Sequence, residues 1–329
     1  MNPAMNPMGN PMGNPTIETH GLAKSFGRTK VLGGIDLAVP EGAIYALVGA
    51  NGAGKTTMIK LLMNILRATA GRATVLGIDS EKLAGKALNR IGYVSENQDL
   101  PDAMTVGAML DYLRGFYPAW DVELERELVR QFELPLDRKL KHLSRGMRMK
   151  AAFAGSLAYR PRLLVLDEPF TGLDPLVRDE LIESLLERAP ETTIFLSSHD
   201  LAEIESFASH VGFLEDGRML FSEEMSVLSD RFRDVTVTLV APAPLPAGLP
   251  ATWLQAETVD CVARFVDSDY KGEASEREMA ARFPGARDVE CEAMPLRAIF
   301  LAIAKSGRIE RNAKRDAEEK AVANGRQVA

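Results

Sequence analysis

The run Gly49-Ala50-Asn51-Gly52-Ala53-Gly54-Lys55-Thr56-Thr57 fits the pattern G-x-x-x-x-G-K-[ST]. An apolar strand, Ala43–Val48, precedes it and an apolar-faced helix, Thr56–Leu66, follows, which is the context a phosphate-binding loop requires. Gly49, Gly52 and Gly54 let backbone N–H groups turn inward around phosphate oxygens, and Asn51, Ala53 and Thr57 belong to the same cradle. The helix N-terminus adds the positive end of its dipole. Lys55 is expected to reach the β- and γ-phosphates of a nucleotide, and Thr56 to offer its hydroxyl to Mg²⁺. A second run, Leu163-Leu164-Val165-Leu166-Asp167-Glu168-Pro169, is an apolar strand that ends in two acids. Asp167 at the strand end is expected to hold Mg²⁺, usually through water. Glu168 then stands where a general base polarises an attacking water. Alone, two acids at a strand end would more simply cap a helix. Beside a phosphate loop, the chemical reading prevails.

These residues need a scaffold that brings strand ends together. Ala43–Val48, Ile91–Ser95, Leu163–Leu166 and Thr193–Leu196 are short continuous apolar runs, the mark of strands buried on both faces. Between them lie amphipathic stretches: Thr56–Leu66, with Met58, Leu61, Leu62 and Ile65 on one face, then Val106–Tyr117, Val122–Phe132 and Gly146–Tyr159, the last stopped by Pro161. The alternation predicts an α/β fold with a largely parallel sheet covered by helices, and a helical subdomain between about 105 and 160. Beyond about 230 the texture changes. Strand-like Val235–Val240, Trp253–Val259 and Cys261–Val266, a helix Ala274–Phe283, a strand around Val289 and a helix Leu296–Ala304 make a small α+β unit. The expected boundaries are a disordered Asn-Pro-rich tail at 1–15, an ATPase-like domain at 16–230, an accessory domain at 231–305 and a flexible tail at 306–329.

Composition excludes several classes. The chain has 329 residues, enough for two domains at about 100–200 residues each. Lys and Arg number 39 against 46 Asp and Glu, a net charge of −7 that disfavours a general nucleic-acid binder. The 2 cysteines, Cys261 and Cys291, exclude a disulfide scaffold and a Cys-rich zinc site and fit small buried hydrophobes. No apolar run approaches the ~18 residues of a spanning helix, and no basic-apolar leader opens the chain. The expectation is a protein that neither crosses a membrane nor is exported.

Further motifs in the right order identify a resemblance. Leu143-Ser144-Arg145-Gly146-Met147 resembles the LSGGQ signature of ATP-binding subunits of ABC transporters, departing at Arg145 and Met147. Thr171-Gly172-Leu173-Asp174 resembles that family's D-loop segment, and Ser197-Ser198-His199 its switch-histidine motif. The resemblance spans Thr16 to about Asp230. Tyr117-Pro118-Ala119-Trp120-Asp121, with the signature segment, is similar to an exporter-type, YtrB-like subgroup; Trp120 equally suits simple packing between two helices.

The resemblance implies a P-loop NTPase core with an antiparallel β subdomain and a helical subdomain, plus the small C-terminal domain. It implies a subunit that binds and hydrolyses ATP with Mg²⁺, sits at the cytoplasmic face of the plasma membrane, and works with a transmembrane permease subunit and a second ATP-binding subunit. Ser144 and the Gly146 amide would close on the nucleotide of the opposite subunit. His199 would contact the γ-phosphate and water, and Asp174 would pass the state of one site to the other. Phe26 would stack on adenine, or else be an ordinary core aromatic. The family's glutamine beyond Ile91–Ser95 is replaced here by Glu96, which can still ligate Mg²⁺ and link metal to permease; Gln98 is the alternative. A non-transport ATPase of the same type, acting on nucleic acid or the ribosome, is the competing function.

Overall fold

The computed structural model describes residues 15–96 and 99–306. The expected tails therefore lie outside the described residues but for Pro15 and Ser306, and so does Gln98. The chain divides into two compact units, one ending at Glu224 and one beginning at Met225.

The first unit holds two sheets. Strands β1 (Ile17–Phe26), β2 (Thr29–Val39), β4 (Ala70–Val75) and β5 (Ile78–Asp79) form an antiparallel sheet in the order β2-β1-β4-β5. Strands β3 (Ile44–Val48), β6 (Ile91–Val94), β7 (Leu163–Asp167), β8 (Thr193–Ser198), β9 (His210–Glu215) and β10 (Arg218–Glu224) form the second, in the order β10-β9-β3-β8-β7-β6. Five of its strands, β9-β3-β8-β7-β6, run parallel, and β10 returns antiparallel at one edge. Every residue of β3, β7 and β8 is buried, as continuous apolar runs demand. Between the sheets lies a core that includes Ile17, Leu22, Leu32 and Val39 from one side and Leu47, Val165 and Phe195 from the other. Helix α1 (Lys55–Leu62) adds Met58, Ile59, Leu61 and Leu62.

Helix α1 ends four residues earlier than its apolar pattern predicts. Asn64 takes the left-handed conformation (φ 56°), which ends the helix, and Ile65 is 54% exposed instead of joining the buried face. The helical subdomain contains α2 (Val106–Arg114), α3 (Val122–Gln131) and α4 (Arg145–Leu157), capped by the side chains of Thr105, Asp121 and Ser144. Trp120 does more than pack. Its Nε1 donates to the buried Glu125 carboxylate at 2.6 Å, which also takes Arg114 Nη2 at 2.7 Å. Tyr117 stacks on Tyr159, with centroids 3.8 Å apart, and Tyr159 donates to the Ile91 carbonyl of β6. Helices α5 (Pro175–Arg188) and α6 (Leu201–Ile204) complete the unit.

The turn between β9 and β10 buttresses the phosphate loop. Gly217 N donates to Ala53 O at 3.2 Å, and Gly217 O accepts from Gly33 N at 2.7 Å. Gly217 has φ 71°, and a Cβ there would stand 2.1 Å from Val31 O.

The second unit starts with α7 (Met225–Arg231). Strands β11 (Arg233–Leu239), β12 (Trp253–Val259), β13 (Val262–Asp267) and β14 (Ala286–Ala293) form an antiparallel sheet in the order β12-β13-β11-β14. Helix α8 (Glu273–Arg282) supplies Met279 to a core in which Trp253 stacks on Phe265 at 4.2 Å. Residues 296–306 are helical. Cys261 and Cys291 are both free and half-buried.

Two glycines with nearly equal φ separate backbone preference from packing. Gly42 (φ 74°) has nothing within 4 Å of a built Cβ, whereas Gly217 meets backbone. Gly42→Ala is expected to cost about 1–2 kcal/mol from left-handed backbone alone. Gly217→Ala is expected to cost roughly 2–5 kcal/mol, because overpacking adds to it. Urea unfolding midpoints check this; equal shifts would remove the buttress argument.

Candidate functional site

The parallel register aligns four strand ends at one edge of the sheet. Val48 lies beside Ser198, Asp167 beside Ser197, and Val94 beside Leu166. The residues just beyond these ends gather at that edge, where open parallel sheets bind ligands.

The loop after β3 is shaped by glycine. Gly52 and Gly54 have φ of 85° and 109°, and a Cβ on Gly49 would stand 2.2 Å from Leu214 O. Lys55 Nζ donates to Gly49 O at 2.7 Å and to Ala50 O at 3.2 Å. It also lies 3.0 Å from Glu168 Oε1 as an ion pair in which both side chains are nearly buried. Asn51, Gly52, Gly54, Lys55, Thr56 and Thr57 line a cavity of about 300 Å³ together with Glu96 and Glu168. Gly49 and Ala53 support the loop from behind; both are buried.

Beyond β7 the two acids take different environments. Asp167 Oδ1 accepts from Ser197 Oγ at 2.7 Å and from Thr56 Oγ1 at 3.1 Å. Glu168 adopts φ 50°, a left-handed conformation that costs a non-glycine residue free energy and that clusters at functional sites. Its N–H donates to Ser197 Oγ at 2.9 Å. Its Oε2 accepts from Thr171 Oγ1 at 3.0 Å and lies 2.7 Å from His199 Nδ1. Burial alone would push this carboxyl up. Hydrogen bonds from His199, Lys55 and Thr171 and the Lys55 charge outweigh burial and hold it below the usual carboxylate range. Glu168 is therefore ionised at neutral pH. The sign follows: the stabilisation is present above the ordinary carboxylate range and is lost as pH falls through the lowered value.

The donor set suits a hard divalent cation. The Thr56 hydroxyl and Asp167 carboxylate are already paired, and the Glu96 carboxylate lines the same cavity, all oxygen donors of the kind Mg²⁺ takes. Among the described residues no group of three or more His, Cys, Asp or Glu forms a metal cluster, so water and phosphate oxygens would complete the coordination.

Other predicted residues lie off the cavity wall. Ser144 is exposed at the head of α4, where its Oγ accepts from Met147 N at 3.3 Å. Gly146 presses on α5, with a built Cβ 3.0 Å from Val177 Cγ1. Asp174 caps α5 through Leu176 N at 2.9 Å. Phe26 is 49% exposed at the end of β1, beneath Lys24 Nζ, and so is not a core aromatic. Sequence reasoning did not single out Ser197 as the joint between both acids, nor Val31 as part of the cavity wall. The signal for Ser197 was its place at the end of a buried strand, two residues before His199.

Comparison with known proteins agrees with this geometry. A family profile described as "ABC transporter" matches residues 32–171. The ABC transporter ATP-binding protein YtrB of Bacillus subtilis is 32% identical over 218 residues, 66% of this chain and 74% of the relative. The daunorubicin/doxorubicin resistance ATP-binding protein DrrA of Streptomyces peucetius is 30% identical over 324 residues, 93% of this chain and 98% of the relative. A solved ATP-binding subunit of an ABC transporter superposes with a TM-score of 0.61 at 28% identity, over 65% of this chain and 92% of that one. The matched stretches carry the phosphate loop, the Ser144 helix head and Glu168 together, and so the chain belongs to the ABC transporter family as one of its ATP-binding, ATP-hydrolysing subunits.

Proposed function

We propose that this subunit powers an exporter by closing on a second ATP-binding subunit around Mg-ATP. The exporter reading rests on similarity to DrrA, which extends along nearly the whole chain, second unit included. The nucleic-acid alternative has no support: the relatives described are transporter subunits and the net charge is −7.

The observation that carries the reaction is the Glu168 carboxylate, kept ionised between Lys55 and His199 at the end of β7. Lys55 and the loop amides hold the β- and γ-phosphates, and Glu168 takes the proton of the attacking water. His199, tied to Glu168, orients the γ-phosphate and that water. Thr56, Asp167 and Glu96 would hold Mg²⁺, which supplies charge neutralisation on the β- and γ-oxygens. Phe26, half-exposed on its strand, offers its ring to adenine.

Ser144 and the Gly146 amide make a second anion site that does not line the cavity of their own chain. It fits the γ-phosphate held by another chain, with Asp174 beside the junction. Closure then depends on a triphosphate bridging the two chains, and hydrolysis removes the bridge.

The permease partner fits an apolar groove of about 480 Å³ between the sheet and the helical subdomain, lined by Ile65, Leu88, Tyr93, Leu100, Tyr112 and Tyr117 among others. Ile65, Leu88 and Tyr112 are exposed there. No helix among the described residues is long and apolar enough to cross a membrane, so this docking would hold the subunit at the cytoplasmic face of the plasma membrane.

Glu168→Gln keeps shape and removes the base. ATP turnover is expected to fall roughly 10²- to 10⁴-fold with ATP affinity within a few-fold of the parent; unchanged turnover in a steady-state phosphate-release assay would end the general-base assignment. Ile65→Asp places a charge in the groove at an exposed position. Co-purification with the membrane partner is expected to drop about tenfold or more, while the ATPase rate of the isolated subunit stays the same. Retained co-purification would move the docking site elsewhere.

A further inference from the structure

The two departures from the family pattern that bear charge meet in space. Arg145 heads α4 in place of a signature glycine, and Glu96 follows β6 in place of a glutamine. Arg145 Nη2 lies 3.8 Å from Glu96 Oε1, with both side chains about half-exposed. The same guanidinium covers Gly172: a Cβ built there would stand 3.3 Å from Arg145 Nη1. Arg145 therefore reaches from the helix that presents Ser144, across the turn leading from Glu168 to Asp174, to a carboxylate on the cavity wall.

Local helix physics does not account for an arginine here. A cation in the first turn of α4 opposes the positive end of the helix dipole. What it gains is the Glu96 charge. A carboxylate beside the phosphate cavity repels a metal-free triphosphate, and a guanidinium at ion-pair distance offsets that repulsion. The same contact draws the carboxylate away from a cation that seeks it as a ligand.

We propose that Arg145 is a positioning residue for Glu96. It neutralises Glu96 while metal-free nucleotide enters, and yields the carboxylate when Mg²⁺ arrives. The inference rests on the reading that Glu96 faces the nucleotide's metal. Its consequence is a pair of opposite effects. Removing Arg145 weakens metal-free ATP binding and strengthens the hold on Mg²⁺. Structural damage at the head of α4 would move both in the same direction.

The test uses full-length parent, Arg145→Ala, Arg145→Lys, Glu96→Gln and the Arg145→Ala/Glu96→Gln double variant. ATP affinity is titrated in EDTA, and the Mg²⁺ concentration that half-restores full affinity is titrated separately. The pair is solvent-screened, so the expected size is modest: Arg145→Ala weakens ATP binding in EDTA roughly two- to fivefold and lowers the Mg²⁺ midpoint by a similar factor. Arg145→Lys keeps most of both parent values. In the Glu96→Gln background, Arg145→Ala changes neither by more than experimental error. Shifts of the same sign, no shifts, or shifts that persist at full size in the Glu96→Gln background overturn the proposal. A parent chain that binds ATP without any Mg²⁺ dependence overturns the metal reading of Glu96 and this inference with it.

Discussion

The ion pair between Lys55 and Glu168 constrains everything around it. Both side chains are almost wholly withdrawn from water, at 5% and 10% exposure. Each charge on its own would be costly there; leaving one partner of a buried pair unmatched generally costs about 3–5 kcal/mol. The chain satisfies both with groups from three segments: the Gly49 and Ala50 carbonyls for Lys55, and Thr171 and His199 for Glu168. These meet only if β3, β7 and β8 end in register. They also require Glu168 to accept a left-handed backbone, and Gly49 to be a glycine so that the loop can lie against Leu214. The fold is thus organised around a charge problem that a polyanionic, metal-bound ligand is well suited to share.

Much of this frame was readable from residues alone. Fully buried parallel strands leave an unmistakable trace, since each must be apolar on both faces, and Leu163–Leu166 and Ala43–Val48 showed it. The glycine spacing and the terminal acids then located the cavity. What escaped depends on tertiary placement. The end of α1 turned on Asn64 adopting a left-handed conformation, which an apolar spacing cannot reveal, and it moved Ile65 from the expected core to the groove. Ser197 joins Asp167 to the Glu168 backbone only because β7 and β8 are neighbours. The contact between Arg145 and Glu96 links residues distant in sequence, and each looked like a separate irregularity until the fold brought them together.

In the proposed clamp, the helix head at Ser144 divides the labour between chains. Ser144 is held by the cap of α4, Gly146 by its fit against Val177, and Asp174 by the cap of α5, and none of the three lines the phosphate cavity of its own chain. Fixed placement away from the chain's own phosphate cavity suits a surface that completes the site of another chain. The second unit contributes a self-contained aromatic core and two free cysteines.

The most direct test of the clamp uses the hydrolysis-deficient Glu168→Gln chain and its Ser144→Arg derivative, measured for ATP affinity and for mass in solution with and without Mg-ATP. The account predicts that Glu168→Gln becomes a dimer on adding Mg-ATP, while the double variant binds ATP equally well and stays a monomer. A double variant that still dimerises, or one that loses ATP binding as a single chain, would contradict it.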